Sequence, residues 1–94
     1  MSTVYWTRHP VAMRDILGQW YLSVDNTPVM SLTQFKGYFE IKLFIDNTIR
    51  ISIEDSDVQR AKKRAILLYK SALNEYVNSM KTKLAAYEQI QSCL

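Results

Sequence analysis

From Val58 onward, apolar residues recur at helical spacing almost to the end of the chain. Advancing about 100° per residue gathers Ala61, Ala65, Ile66, Leu68, Tyr69, Ala72, Leu73, Tyr76, Val77, Met80, Leu84, Tyr87, Ile90 and Leu94 on one side, interrupted by Lys62 and Lys83, with Leu67 opposite. Ser56 stands as an N-cap and Gln59 as its capping-box partner, so a long helix is predicted over 56–92. Such a helix extends roughly 54 Å, whereas strands of six to nine residues span about 20 to 30 Å. No sheet built by the preceding residues can cover the whole stripe. Either the helix breaks near Asn78 to Thr82 and folds back, or its second half projects and buries Met80, Leu84, Tyr87 and Ile90 against another chain.

Ahead of that helix the period of the pattern is two. Trp20, Leu22 and Val24 alternate with Tyr21 and Ser23, and "DNTP" at Asp25 to Pro28 is turn chemistry. Met30 and Leu32 continue the core side. Phe39, Ile41, Leu43 and Ile45 alternate with Tyr38, Glu40, Lys42 and Phe44, and Ile49, Ile51 and Ile53 with Thr48, Arg50 and Ser52. A two-residue turn at Asp46-Asn47 would set core positions against solvent positions, so a longer loop is expected, with Ile45 opposite Ile49 and Leu43 opposite Ile51. "TVYW" at Thr3 to Trp6 suits an edge strand or a packed arm. Pro10 and Gly18 bracket a short helix. The predicted fold is α+β: an antiparallel sheet of about four strands packed on a long C-terminal amphipathic helix, with a short N-terminal helix. One domain is expected, divided into 1–18 (arm and short helix), 19–53 (sheet) and 56–92 (helix).

With 94 residues, folding buries only about two thirds of the surface the unfolded chain exposes, so a second copy or partner would add to a thin margin. The 48% hydrophobic content, with only two glycines and two prolines, belongs to a packed domain rather than a disordered chain. The single cysteine, Cys93, rules out an intramolecular disulfide and suits a reducing compartment, although an intermolecular link stays open. No apolar run reaches the roughly 18 residues of a membrane span, and "MSTVYWTRHP" lacks a charged lead and apolar block. A cytoplasmic protein is expected.

The residues offer little for catalysis. His9 and Cys93 are the only histidine and cysteine, which leaves structural zinc without its usual ligands and makes a Cys-His nucleophile depend on a chain terminus. Glu54, Asp55 and Asp57 cluster where negative charge favours a helix N-terminus. Gly18 and Gly37 are too isolated for a phosphate loop. The expectation is a chain without enzymatic activity, metal or cofactor.

Two surfaces suggest binding. Between Arg60 and Lys83 lie seven basic residues and one acidic one, Glu75, and Arg60, Lys63, Arg64, Lys70 and Lys81 would follow a phosphate backbone or simply form a solvated face. On the sheet, Tyr21, Tyr38, Lys42, Phe44 and Arg50 face away from the core, a mixture used both to stack single-stranded bases and to anchor protein interfaces. Alternatively, the arm with Val4, Tyr5 and Trp6 covers that face. The order helix, strands, long helix is similar to the double-stranded RNA-binding domain, and "SDVQRAKKRAILL" faintly resembles the basic start of that family's last helix. Here, though, Asp57 and Val58 open the helix and Arg60 to Arg64 come a turn later. The leading expectation is a small non-catalytic protein acting through protein contacts, as adaptor or inhibitor, homodimeric, and of a kind common among viral or mobile-element accessory proteins that block a host complex. The alternative is a nucleic-acid-binding module using the basic helix and sheet face.

Overall fold

Period-two alternation dictates strands, and a computed structural model, describing residues 2–11 and 13–92, shows five of them. They are β1 (Val4–His9), β2 (Gly18–Val24), β3 (Thr27–Phe35), β4 (Tyr38–Ile45) and β5 (Asn47–Glu54), followed by α1 (Val58–Ser92). The strands form one antiparallel meander in the order β1-β2-β3-β4-β5. Cys93, together with Leu94 of the apolar stripe, lies outside the described residues.

The fifth strand is the N-terminal segment, which pairs with β2 from Val4 opposite Val24 to His9 opposite Gln19. Asp25 fastens it: its carboxylate accepts from the Thr3 amide at 2.8 Å, and its own amide donates to the Thr3 carbonyl at 2.9 Å. Tyr5 adds a hydroxyl donation to Asn26 Oδ1 at 2.7 Å. The expected short helix is not found among the described residues. Residues 13–17 make a turn, with Ile16 N–H donating to the Met13 carbonyl at 3.3 Å, and Gly18 begins β2 instead of ending a helix. Without an N-terminal helix, the similarity of element order to the double-stranded RNA-binding domain does not carry through.

Turn chemistry fixes the hairpins. Asp25 and Asn26 take φ of 49° and 68°, the left-handed pair that a two-residue hairpin twisting with its strands requires. Gly37 supplies φ of 85° between β3 and β4. Val29 is the extra residue where the β2–β3 register shifts between Leu22 and Ser23; the irregularity falls beside Pro28, which has no amide to give the ladder. Between β4 and β5 the expected loop is too long. Ile45 pairs with Asn47 across Asp46, so Leu43 meets Ile49, Ile41 meets Ile51 and Phe39 meets Ile53. Both registers keep the isoleucines on one face, and the tighter one leaves fewer backbone groups unpaired. Asp46 accepts φ of 39° to make it.

One face of the sheet holds the core. Trp20, Leu22, Met30, Leu32, Phe39, Ile41, Leu43, Ile45 and Ile53 are buried together with Ala61 and Ala65 of α1. These two alanines, one helical turn apart and wholly inaccessible, let the helix backbone approach β3 and β4. Val58, Ile66, Leu68, Tyr69, Ala72 and Tyr76 pack around them.

The helix is started by Asp57, not Ser56. Asp57 Oδ1 accepts from the Arg60 amide at 3.0 Å and its carbonyl from the Ala61 amide at 2.9 Å, the N-cap arrangement. Asp55 turns the chain into it by accepting from the amides of Ser56 and Asp57 at 2.8 and 3.0 Å.

Candidate interaction surfaces

Tyr76 is the last helix residue packed on the core; every residue from Val77 to Gln91 is exposed. The helix nevertheless continues without a break, and at Asn78 to Thr82 the Thr82 hydroxyl donates back to the Asn78 carbonyl at 3.1 Å. The last 16 residues therefore project by about 24 Å at 1.5 Å per residue, giving the molecule a longest dimension of 59 Å. Met80, Leu84, Tyr87 and Ile90 all lie on this projection, with Leu84 58% and Ile90 61% exposed. Leu73 and Val77 belong with them. Their signal is the spacing of Leu73, Val77, Met80, Leu84 and Tyr87 in steps of four, three, four and three, a period of 3.5 that keeps one seam facing a neighbouring helix.

The basic cluster is mostly occupied inside the chain. Arg60 grips Asp55 through two bonds, Nε to Oδ2 at 2.8 Å and Nη2 to Oδ1 at 2.6 Å. Arg64 Nη1 lies 3.6 Å from Asp55 Oδ2 and donates to the Glu54 carbonyl at 3.4 Å. The Asp55 side chain is only 3% exposed. The Arg60 guanidinium, and then the Asp57 amide, hold its carboxyl well below the usual carboxylate range against the opposing effect of burial, while Asp55 in turn raises the pKa of Arg60. Lys62 reaches over the core's edge, its ammonium 5.4 Å from the Trp6 ring centroid and 5.6 Å from that of Trp20; attraction to the two ring faces accounts for a lysine inside the apolar stripe. Lys63, Lys70 and Lys81 point to solvent.

The second surface is the sheet face turned away from α1. The arm does not cover it. In β1, Trp6 packs towards the core, while Tyr5 is exposed and His9 contacts Tyr21 edge-on at 4.4 Å. Register brings Tyr21, Ser31, Lys42 and Arg50 into one cross-strand row. Phe35 and Tyr38 stack at 4.9 Å beside the β3–β4 turn. Tyr38 and Phe44 are each 40% exposed, whereas Ser23, Ser31 and Thr33 are buried between larger neighbours. Lys42 is 3.8 Å from Glu40; Arg50 is exposed and makes no ion pair among the described residues. The loop before β2 overhangs one end of the face, leaving a cleft of about 330 Å³ whose lining includes Met13, Ile16, Phe35, Glu40 and Lys42. All five expected sheet-face residues thus share one surface, with Tyr21 and Lys42 the more enclosed.

Among the described residues there is no group of three or more His, Cys, Asp or Glu able to hold a metal ion, and no helix long and apolar enough to cross a membrane. Compared with protein-family models, curated proteins and solved structures, the chain matches none.

Proposed function

We propose that this chain is a non-catalytic protein-binding module, an adaptor or inhibitor, whose open sheet face engages another protein. The observation supporting this most directly is an exposed aromatic next to an exposed cation on the sheet face turned away from α1: Phe44 stands opposite Thr48, two residues along β5 from Arg50, while Tyr38 adds a second exposed aromatic at the other end of β4. Aromatic side chains and arginine are the groups that anchor protein interfaces. The complementary partner offers apolar side chains to Tyr38 and Phe44 and a carboxylate to Arg50, since Lys42 already has Glu40 nearby. Nucleic acid is the competing occupant. It is disfavoured because Arg60 and Arg64 are committed to Asp55 and Lys62 to two indoles, leaving fewer cations free to follow a phosphate backbone.

A photoreactive phenylalanine analogue at Phe44, compared with the same group at Ser71 on α1, tests the proposal in cells. A polypeptide adduct formed from position 44 alone, and lost on Arg50→Glu, is expected. Adducts to nucleic acid, with retention on RNA or DNA that falls steeply between low and moderate salt, would replace this reading with the alternative. No adduct, or equal adducts from both positions, would sink it.

A further inference from the structure

The projecting half of α1 has a seam that no described residue of its own chain covers. Alternating steps of four and three keep its apolar residues in one row, which a second helix can cover along its whole length. Charge selects the occupant. Lys83 and Glu88 flank the seam and form no ion pair among the described residues. Five residues apart, they cannot meet on their own helix, where neighbours stand three or four apart. Across a parallel two-stranded coil, the residue before one seam position faces the residue five further on in the other strand. Lys83 would then meet the partner's Glu88, twice by symmetry.

We infer that the projecting helix pairs with a second copy of this chain as a parallel, in-register coiled coil running from Leu73 through Tyr87. Leu73, Val77, Met80, Leu84 and Tyr87 each pack against their own counterparts. Two antiparallel registers keep four apolar layers against the parallel seam's five: one sets Val77 against the partner's Met80 but Tyr87 against the partner's Lys70, and the other sets Met80 against the partner's Leu84 and also brings Lys81 against the partner's Lys81 and Lys83 against the partner's Lys83. Like charges disfavour the latter. The parallel seam ends where sequence and fold both require: the next seam position towards the N-terminus is Lys70, where two lysines would face each other, and from there the helices splay to make room for the sheets. At about two heptads, the contact is concentration-dependent rather than obligate.

Sedimentation equilibrium of the full chain carrying Cys93→Ser, from micromolar to near-millimolar, is expected to show a monomer giving way to a dimer. Leu84→Asp should remain monomeric with unchanged sheet signals in circular dichroism. Lys83→Glu and Glu88→Lys should each weaken dimerisation about three- to thirtyfold at low salt, and the double exchange should restore it. Direction is read from disulfides: Val77→Cys and Leu84→Cys, each alone, should oxidise to covalent dimers. If the mixed Met80→Cys and Leu84→Cys chains form cross-links in preference to self-links, the helices are antiparallel and the inference falls. A wild-type chain that stays monomeric at the highest concentration removes the dimer altogether, and leaves the sheet-face contact to its own cross-linking test.

Discussion

At Gly18 the fold depends on a missing atom. A Cβ there would stand 2.5 Å from Cη2 of the Trp20 indole, which itself lies between Arg8 and Lys62 at 5.7 and 5.6 Å. Gly18→Ala should displace that ring and cost about 1–3 kcal/mol by overpacking, read as a lower urea midpoint with altered tryptophan fluorescence. Gly37→Ala is the contrast, since nothing lies within 4 Å of its added carbon and only the positive φ of 85° opposes it. It should cost about 1 kcal/mol with fluorescence unchanged. Asp55 carries a pH signature. Its folded pKa lies below the ordinary 3.8, so the stability it contributes is complete above that value and is lost as pH falls through it towards the folded pKa. Urea midpoints between pH 6 and 2 should fall steeply below about pH 4 in the wild type, and Asp55→Asn should be weaker at neutral pH with a shallower acid limb. A parallel acid limb in the variant would assign the effect elsewhere. Asp57→Ala should cost about 1 kcal/mol as a lost N-cap.

The helix behaves as two elements under one hydrogen-bond ladder. Residues up to Tyr76 are held by burial on β3 and β4, whereas those beyond have only their own propensity, and an isolated helix of 16 residues is marginal in water. Amide exchange in dilute protein should therefore be slow at Ala61 to Ala72 and fast beyond Val77, with the distal protection rising as concentration is raised. Uniform protection at every concentration would contradict this division. The projection itself was open to deduction, because residue counts convert directly into lengths and the stripe outran any sheet. Strand faces were equally legible from Phe39 to Ile53, where alternation leaves one choice of side. What alternation cannot supply is register: a shift of two residues keeps every isoleucine inward, so the choice between Ile45 opposite Ile49 and Ile45 opposite Asn47 fell to a turn residue, Asp46. The N-terminal segment misled for a related reason. Pro10 and Gly18 are helix punctuation locally, but β1 needs residues 10–17 as its return loop, and Gly18 is wanted by Trp20. For the sheet-face residues the pattern gave the side of the sheet; it could not tell that β1 would widen the sheet instead of covering it.

In the whole molecule, sheet and proximal helix form one body, and the proposed dimer adds stability only through mass action. The five strands are joined by short hairpins in chain order, so each pairing closes a small loop, and α1 then covers the finished face from β4 and β3. This body needs no second chain to complete its core, because every fully buried side chain finds its neighbours within it. Dimerisation through the distal helix binds the folded chain and not the unfolded one, and that linkage raises the unfolding temperature as concentration exceeds the dissociation constant. The melting temperature should be flat in the dilute regime, then climb by a few degrees for each tenfold increase in chain. Leu84→Asp should keep the dilute value and lose the climb, since Leu84 contributes nothing to the core. If the variant instead melts lower at all concentrations, the distal helix supports the sheet directly, and the molecule is one cooperative unit along its whole length.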